Sequence, residues 1–214
     1  MRNLRSLWSE GVEVISSDKI AAFLDVSAEQ FRKDVSYFGE FGVRGVGYEV
    51  EKLISELECI LGIDKKWKIA LVGAGRLGSA LLGFEGFSRF NFKITQVFDS
   101  DSNKIGKDIF GIKINSTRNI KKIIKKNKIK IAIITTPPEA AQNIANELIN
   151  SGVKGILNFA PLILKTPRNI FISNVDMACE LESLLFFVKQ KTEIISSMSK
   201  AMSYRAQAGY KFEV

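Results

Sequence analysis

Apolar positions recur at helical spacing through the first third of the chain, then give way to short apolar runs alternating with helical segments. Leu4, Leu7 and Trp8 fall on one face of a segment closed by Gly11, so residues 2–11 predict a helix. Ser16-Ser17 precedes Asp18 to Leu24, a short helix with serines at its cap and an acidic first turn. After a turn at Asp25-Val26, Ser27 and Gln30 have capping-box spacing. The helix they open carries Phe31, Val35 and Phe38 on a buried stripe and Gln30, Arg32, Lys33, Ser36 and Tyr37 on the other face. Helix, tight turn and capped helix together are a helix-turn-helix arrangement, whose second helix is the one shaped to enter a major groove. From Gly39 to Tyr48, glycines alternate with β-branched residues and predict a short hairpin, a wing, with Arg44 and Gly45 at its tip. An Arg on such a tip suits a narrow minor groove. Val50, Leu53, Ile54, Leu57, Ile60 and Leu61 then mark an amphipathic helix stopped by Gly62, with a linker to Lys66.

From Trp67 the pattern alternates. Strands are expected near 67–72, 93–98, 112–115, 129–135 and 154–158, and helices near 76–86, 117–127 and 138–150. This is the pattern of an α/β, doubly wound parallel sheet. After Asn158-Phe159-Ala160-Pro161 the chain turns back, and Asn174-Val175-Asp176 leads into a last helix striped by Leu181, Leu184, Leu185 and Val188. Such a leftover apolar face is often used between subunits, and a two-fold dimer suits a reader of two half-sites. The segments divide as 1–66, 67–173 and 174–214; no pattern is evident from Tyr204 to Val214.

The strand at 67–72 runs into Gly73-Ala74-Gly75-Arg76-Leu77-Gly78, three glycines spaced as a dinucleotide fingerprint between a strand and a helix. The glycines serve a tight turn, close approach of a pyrophosphate and close helix–strand packing. Asp99 lies 21 residues past Gly78 at the end of the next strand. A carboxylate there bonds ribose hydroxyls and repels a 2′-phosphate, and no Arg directly follows it, so NAD(H) is expected over NADP(H). Asp99 also has the spacing to cap the turn toward Asp101. Thr135-Thr136-Pro137-Pro138 ends a central strand on the edge where the cofactor should lie.

Composition narrows the chemistry. The 214 residues are 46% hydrophobic and 25% charged, as in ordinary globular chains, and no apolar run approaches a membrane span. The first residues lack a signal peptide's apolar core, so a cytoplasmic location is expected. There is no His, which removes a His base and most zinc chemistry, and no metal is expected. Cys59 and Cys179 sit in apolar surroundings and are expected to be buried thiols. The net charge of +8 is uneven: residues 1–66 carry −3 and residues 67–214 carry +11. Much of the excess is the lysine run from Lys121 to Lys130, read as the solvated face of a helix buried through Ile120, Ile123 and Ile124.

Long words of the chain resemble Rex, the redox-sensing transcriptional repressor family of bacteria, over about residues 2–190. Val26 to Gly42 looks like the family's recognition helix, Arg44-Gly45-Val46-Gly47-Tyr48 like its wing, and Val72 to Gly78 like its NAD loop. Gly152 to Pro161 and Asn174-Val175-Asp176 are further Rex-like stretches. The resemblance implies a homodimer of winged-helix and Rossmann domains with an exchanged, domain-swapped C-terminal helix. NADH and NAD⁺ would compete for the Rossmann site, and operator DNA would be released when NADH replaces NAD⁺. It further implies a DNA surface of Ser27, Gln30, Arg32, Lys33, Ser36, Tyr37, Arg44 and Gly45. The cofactor site would be Gly73, Ala74, Gly75, Arg76, Leu77, Gly78, Asp99, Thr135 and Pro137, with Asn158, Ala160 and Pro161 near the nicotinamide. Arg2, Phe84 and Asp176 would form a switch network. Two departures accompany it: relatives usually carry further residues before the first helix, and Phe84 stands where many have Tyr, so one hydroxyl donor is missing. The rival readings are a small NAD-dependent oxidoreductase with a helical extension, which would need a proton donor near the nicotinamide, and a CoA-binding module, against which Asp99 argues.

Overall fold

The computed structural model describes residues 1–190. Two compact units make up the chain. The first holds Met1–Ile69 together with Leu82–Thr95; the second holds Ala70–Leu81 and the chain from Gln96 onward.

The first unit runs α1 (Arg2–Ser9), β1 (Val14–Ile15), α2 (Ser17–Leu24), α3 (Ala28–Ser36), β2 (Gly42–Val43), β3 (Gly47–Glu49) and α4 (Val50–Leu61). Both expected serine caps form. Ser16 Oγ accepts from Lys19 N–H and Ser27 Oγ accepts from Gln30 N–H, each satisfying a donor that a helix start leaves unpaired. The hairpin becomes a three-stranded antiparallel sheet, ordered β1-β3-β2, through a two-residue strand too short to announce itself in sequence. Leu4, Ile15, Ile20, Phe31, Val35, Tyr48, Val50 and Leu53 form the core. Phe31 of α3 meets Tyr48 of β3 edge-on at 5.5 Å between centroids, which ties helix and wing together.

Three expectations fail here for geometric reasons. Phe38 is exposed, because α3 ends at Ser36 and the stripe ends with it. Ile60 and Leu61 are exposed at the last turn of α4. Cys59 is an exposed thiol, not a buried one: nine residues past Val50, it faces the opposite side of the helix. Cys179 is exposed as well, since the helical segment from residue 177 to 190 is exposed along its described length.

A short 3-10 turn, Glu85–Phe90, belongs to the first unit. Arg5 of α1 holds it. One guanidinium nitrogen donates to the Arg89 carbonyl at 3.0 Å, another pairs with Glu58 at 2.6 Å, and the group lies 4.8 Å from the Phe90 ring centroid.

The sheet is built from β4 (Trp67–Val72), β5 (Phe92–Asp99), β6 (Asp108–Ile109), β7 (Ile112–Ser116), β8 (Ile131–Ile134), β9 (Gly155–Asn158) and β10 (Phe171–Asn174). Its order is β10-β9-β8-β4-β5-β7-β6. The β5–β7, β8–β9 and β9–β10 pairs are parallel, and the edge β6–β7 pair is antiparallel. Chain order reverses between β4 and β8, the crevice where doubly wound sheets bind ligands. Helices α5 (Arg76–Leu82), α6 (Ile120–Asn127) and α7 (Pro138–Asn150) complete the crossovers. The helix expected over 76–86 stops at Leu82, and the start of the one expected over 117–127 is a 3-10 turn, Thr117–Asn119. Ile120 and Ile124 of α6 are fully buried, and its lysines are exposed. Among the described residues no helix is long and apolar enough to cross a membrane.

Replacing Arg5 with Ala removes an ion pair, a carbonyl contact and a cation–π contact at once. Denaturant unfolding is expected to report a loss of about 1–2 kcal/mol, whereas Lys126→Ala, on an exposed face, should leave the midpoint in place.

Candidate functional site

Residues Ser27, Gln30, Arg32, Lys33, Ser36 and Tyr37 are all exposed along α3 and its ends, and Tyr37 is 75% exposed. The face is partly pre-ordered. Gln30 Nε2 donates to Asp34 at 2.6 Å, Ser36 Oγ donates to the Lys33 carbonyl at 2.7 Å, and Arg32 donates to Ser17 Oγ at the start of α2 at 2.8 Å. Lys33 projects from the last turn. In the wing, Val46 N–H donates to the Val43 carbonyl across Arg44 and Gly45. Gly45 has φ of 80°, the value a type II turn asks of its third residue, so the turn presents Arg44 at the tip. A cavity of about 540 Å³ lies between this wing and the α2–α3 face, lined in part by Ser17, Arg32, Ser36 and Arg44.

The glycine loop lies at the reversal point of the sheet. A Cβ on Gly73 (φ 103°) would stand 2.8 Å from the Thr135 carbonyl carbon, and one on Gly78 would collide with the Gly73 carbonyl oxygen. Gly75 meets nothing within 4 Å: the second glycine opens to free space where a pyrophosphate would need to approach. Thr135 Oγ1 donates toward the Gly73 carbonyl at 2.7 Å and lies 3.1 Å from that of Val72, pinning β8's end to the loop. Next to it, the buried Thr136 hydroxyl has no protein partner among the described residues, and Pro137 caps α7. Open space at Gly75 and an orphaned hydroxyl at Thr136 fit a polar ligand seated across the crevice. Arg76 is exposed, Leu77 half-buried and Ala74 buried.

Asp99 is only 7% exposed. Its Oδ2 accepts from Ala74 N–H at 2.8 Å and from the Lys104 ammonium at 3.1 Å, and its Oδ1 accepts from Asp101 N–H at 2.9 Å. Burial by itself would raise this carboxyl; the Asp101 N–H, the Lys104 ammonium and the Ala74 N–H outweigh it and hold the group below the ordinary carboxylate value. The expected turn cap is therefore present, and the carboxylate also shapes the loop. Lys104 was not visible as a partner in the sequence; its only signal is its place three residues after Asp101.

Asn158 is fully buried and spends its side chain internally. Nδ2 lies 2.9 Å from Leu162 O, 2.9 Å from Asn174 Oδ1 and 3.1 Å from Ala160 O, while Oδ1 accepts from Ala160 N–H at 3.0 Å. It shapes the turn carrying buried Ala160 and exposed Pro161. Asp176 accepts from Ala178 N–H and Cys179 N–H, capping the last helix. Arg2 is exposed at the start of α1 in the first unit, and Phe84, 57% exposed, packs edge-on against Phe87. Among the described residues no cluster of three His, Cys, Asp or Glu side chains could hold a metal.

Two family models match parts of the chain: "CoA binding domain" over residues 64–162 and "Putative DNA-binding protein N-terminus" over residues 1–36. The redox-sensing transcriptional repressor Rex of Syntrophomonas wolfei is 46% identical over 187 residues, covering 87% of this chain and 89% of its own length. That of Maridesulfovibrio salexigens is also 46% identical, over 183 residues, with 86% and 88% covered. The chain belongs to the Rex family. Its fold matches that of RSP, a Rex-family repressor, in the complex with β-NAD⁺ and operator DNA, at a TM-score of 0.85 and 32% identity over 93% of this chain and 91% of RSP. The RSP complex with β-NADH matches at 0.81 and 31%, covering 92% of each chain. Rex membership accounts for a capped helix with a wing and a glycine loop occurring on one chain.

The acid limb of stability should carry the signature of Asp99. Its folded value lies below the unfolded one of about 3.9, so its stabilisation is complete above about pH 4 and is lost as the pH falls through the lowered folded value. Urea midpoints between pH 7 and pH 3 are expected to fall less in Asp99→Asn than in the native protein.

Proposed function

We propose that this chain is a redox-sensing transcriptional repressor that binds operator DNA as a homodimer and releases it when NADH replaces NAD⁺. The observation that carries the reading is the joining of two sites on one Rex-family chain: an exposed, capped α3 with its wing, and a glycine loop braced by a buried carboxylate. Residues 1–66 serve as the winged-helix reader, 67–173 as the Rossmann sensor and 174–214 as the exchanged segment, of which residues beyond 190 lie outside the described chain.

On α3, Arg32 and Lys33 have the reach and charge for phosphates or base edges, flanked by Ser27, Gln30, Ser36 and Tyr37, and Arg44 on Gly45's turn suits the minor groove. Gly73 to Gly78 would hold the pyrophosphate, with Asp99 at the adenosine ribose and Thr135 to Pro137 across the crevice. Ala160 and Pro161, set by Asn158, would border the nicotinamide. Bound NADH and NAD⁺ differ by a hydride and one positive charge on that ring. Phe84, Arg2 and Asp176 are the residues proposed to turn this difference into release of DNA. The stripe Leu181, Leu184 and Leu185, more than half exposed, supports a second copy as its cover. The coupling is reciprocal, and about 1–3 kcal/mol gives a 5–150-fold switch.

The relatives' names speak for a regulator rather than an enzyme, and a cytoplasmic location fits that role. The match over 64–162 favours CoA as a second reading; the Asp99 carboxylate favours a dinucleotide.

One titration separates these readings. A fluorescent, two-fold symmetric duplex selected from a random pool is bound to the protein, and NADH, NADPH or CoA is added. Release by NADH alone is expected; release by CoA, or turnover of NADH without release, overturns the proposal. Gly78→Ala, with its Cβ against the Gly73 carbonyl, should still bind the duplex but no longer let go with NADH. Lys33→Ala should weaken duplex binding roughly tenfold and leave NADH affinity unchanged; an unaltered gel shift would remove Lys33 from the interface.

A further inference from the structure

The adenosine end of the glycine loop contains a cation that the fingerprint does not call for. Lys104 lies 3.1 Å from Asp99 Oδ2 and 4.0 Å from Asp101 Oδ2, with its side chain 38% exposed. The turn that carries it is held firmly. Lys104 N–H and Ile105 N–H donate to the Asp101 carbonyl, Asn103 N–H donates to Asp101 Oδ1, and Gly106 N–H is bonded to Ile114 in β7. The ammonium is thus fixed at the end of β5, where the ribose of a bound dinucleotide would lie.

Counting lone pairs defines what Asp99 can still do. A carboxylate offers about four acceptor positions. Three are taken, by Ala74 N–H, Asp101 N–H and Lys104. One remains, enough for a single ribose hydroxyl. The second hydroxyl must find a donor, and Lys104, with three N–H groups and a solvent-facing side, is the nearest cation.

We propose that Lys104 is a ribose-binding residue of this site: it donates to the second ribose hydroxyl, and Asp99 and Asp101 neutralise it as a counter-ion for a 2′-phosphate. This rests on the dinucleotide reading of the loop. The cluster of two carboxylates and one ammonium carries a net negative charge, so a 2′-phosphate meets repulsion even though a cation lies within reach. Neutralising a carboxylate frees the ammonium for a charge-assisted bond to phosphate. Exclusion of the phosphorylated dinucleotide is therefore held by the carboxylates masking Lys104, not by lack of a cation.

The test is a fluorescence titration of the full-length protein with NADH and with NADPH. Native protein should bind NADH far more tightly. Asp99→Asn should gain roughly tenfold in NADPH affinity, and adding Lys104→Met in that background should abolish the gain. Asp101→Asn keeps the oxygen that Asn103 N–H uses and lies on an exposed turn, so it folds whether or not Asp99→Asn does. It should gain about threefold for NADPH, again lost with Lys104→Met. Lys104→Met alone should weaken NADH several-fold. No NADPH gain in either Asn variant that melts cooperatively, or a gain that survives Lys104→Met, overturns the proposal. Failure of the native protein to bind NADH overturns instead the dinucleotide reading beneath it.

Discussion

The structure around the glycine loop depends on one buried carboxylate. Asp99 joins the loop after β4, through Ala74 25 residues back, to the turn after β5, through Asp101 and the Lys104 ammonium. A charge this deeply buried is tolerable because donors, one of them a cation, fill most of its acceptor positions. The same bonds that satisfy it fix the loop's second residue, and Gly75 beside it faces open space. Thr135 completes the frame from the β8 side. The loop's shape is thus set before any ligand arrives, and ordering it costs a ligand little.

From that loop the chain leads directly to the other unit. Helix α5 ends at Leu82, and from there to Thr95 the chain belongs with the first unit. Arg5, bonded to Glu58 and to the Arg89 carbonyl, clamps this segment to α1 and α4. Phe84 sits at its start, and Asn91 Nδ2 reaches the Ile63 carbonyl near its end. The helix that follows the glycine loop is therefore continuous in sequence with a segment that Arg5 ties to α1 and α4.

Much of this was legible in sequence because it rests on local rules. Ser16 and Ser27 cap where their spacing said they would, and the glycine loop follows its strand. The sheet follows from alternating apolar runs. What escaped rests on contacts distant in sequence or on edges. The two-residue β1 exists only because β3 pairs with it, and β10 pairs with β9 in parallel from a stretch with little apolar alternation. Cys59, expected buried from its apolar surroundings, and Phe38, expected buried from its helical spacing, are exposed because helix phase and helix end decide. The internal role of Asn158 depends on Asn174, 16 residues on. Arg5's partners lie 53 and 84 residues away. No local pattern announces such pairs.

The charge distribution bears on how the proposed switch could work. The first 66 residues carry a net charge of −3, so a single reader gains little from general attraction to phosphates. In the proposed reading its grip comes from a few placed cations, Arg32, Lys33 and Arg44, each of which depends on position. For a two-fold reader made of such weak halves, affinity comes mainly from engaging both half-sites at once. Then the second contact is intramolecular, and it is lost outright when geometry forbids simultaneous binding. A sensor unit need not deform α3 or cover its charges. Moving two intact helices out of register is sufficient, and a coupling of a few kcal/mol can supply that. A weakly charged reader is thus the form on which a small difference in a bound cofactor has the largest effect.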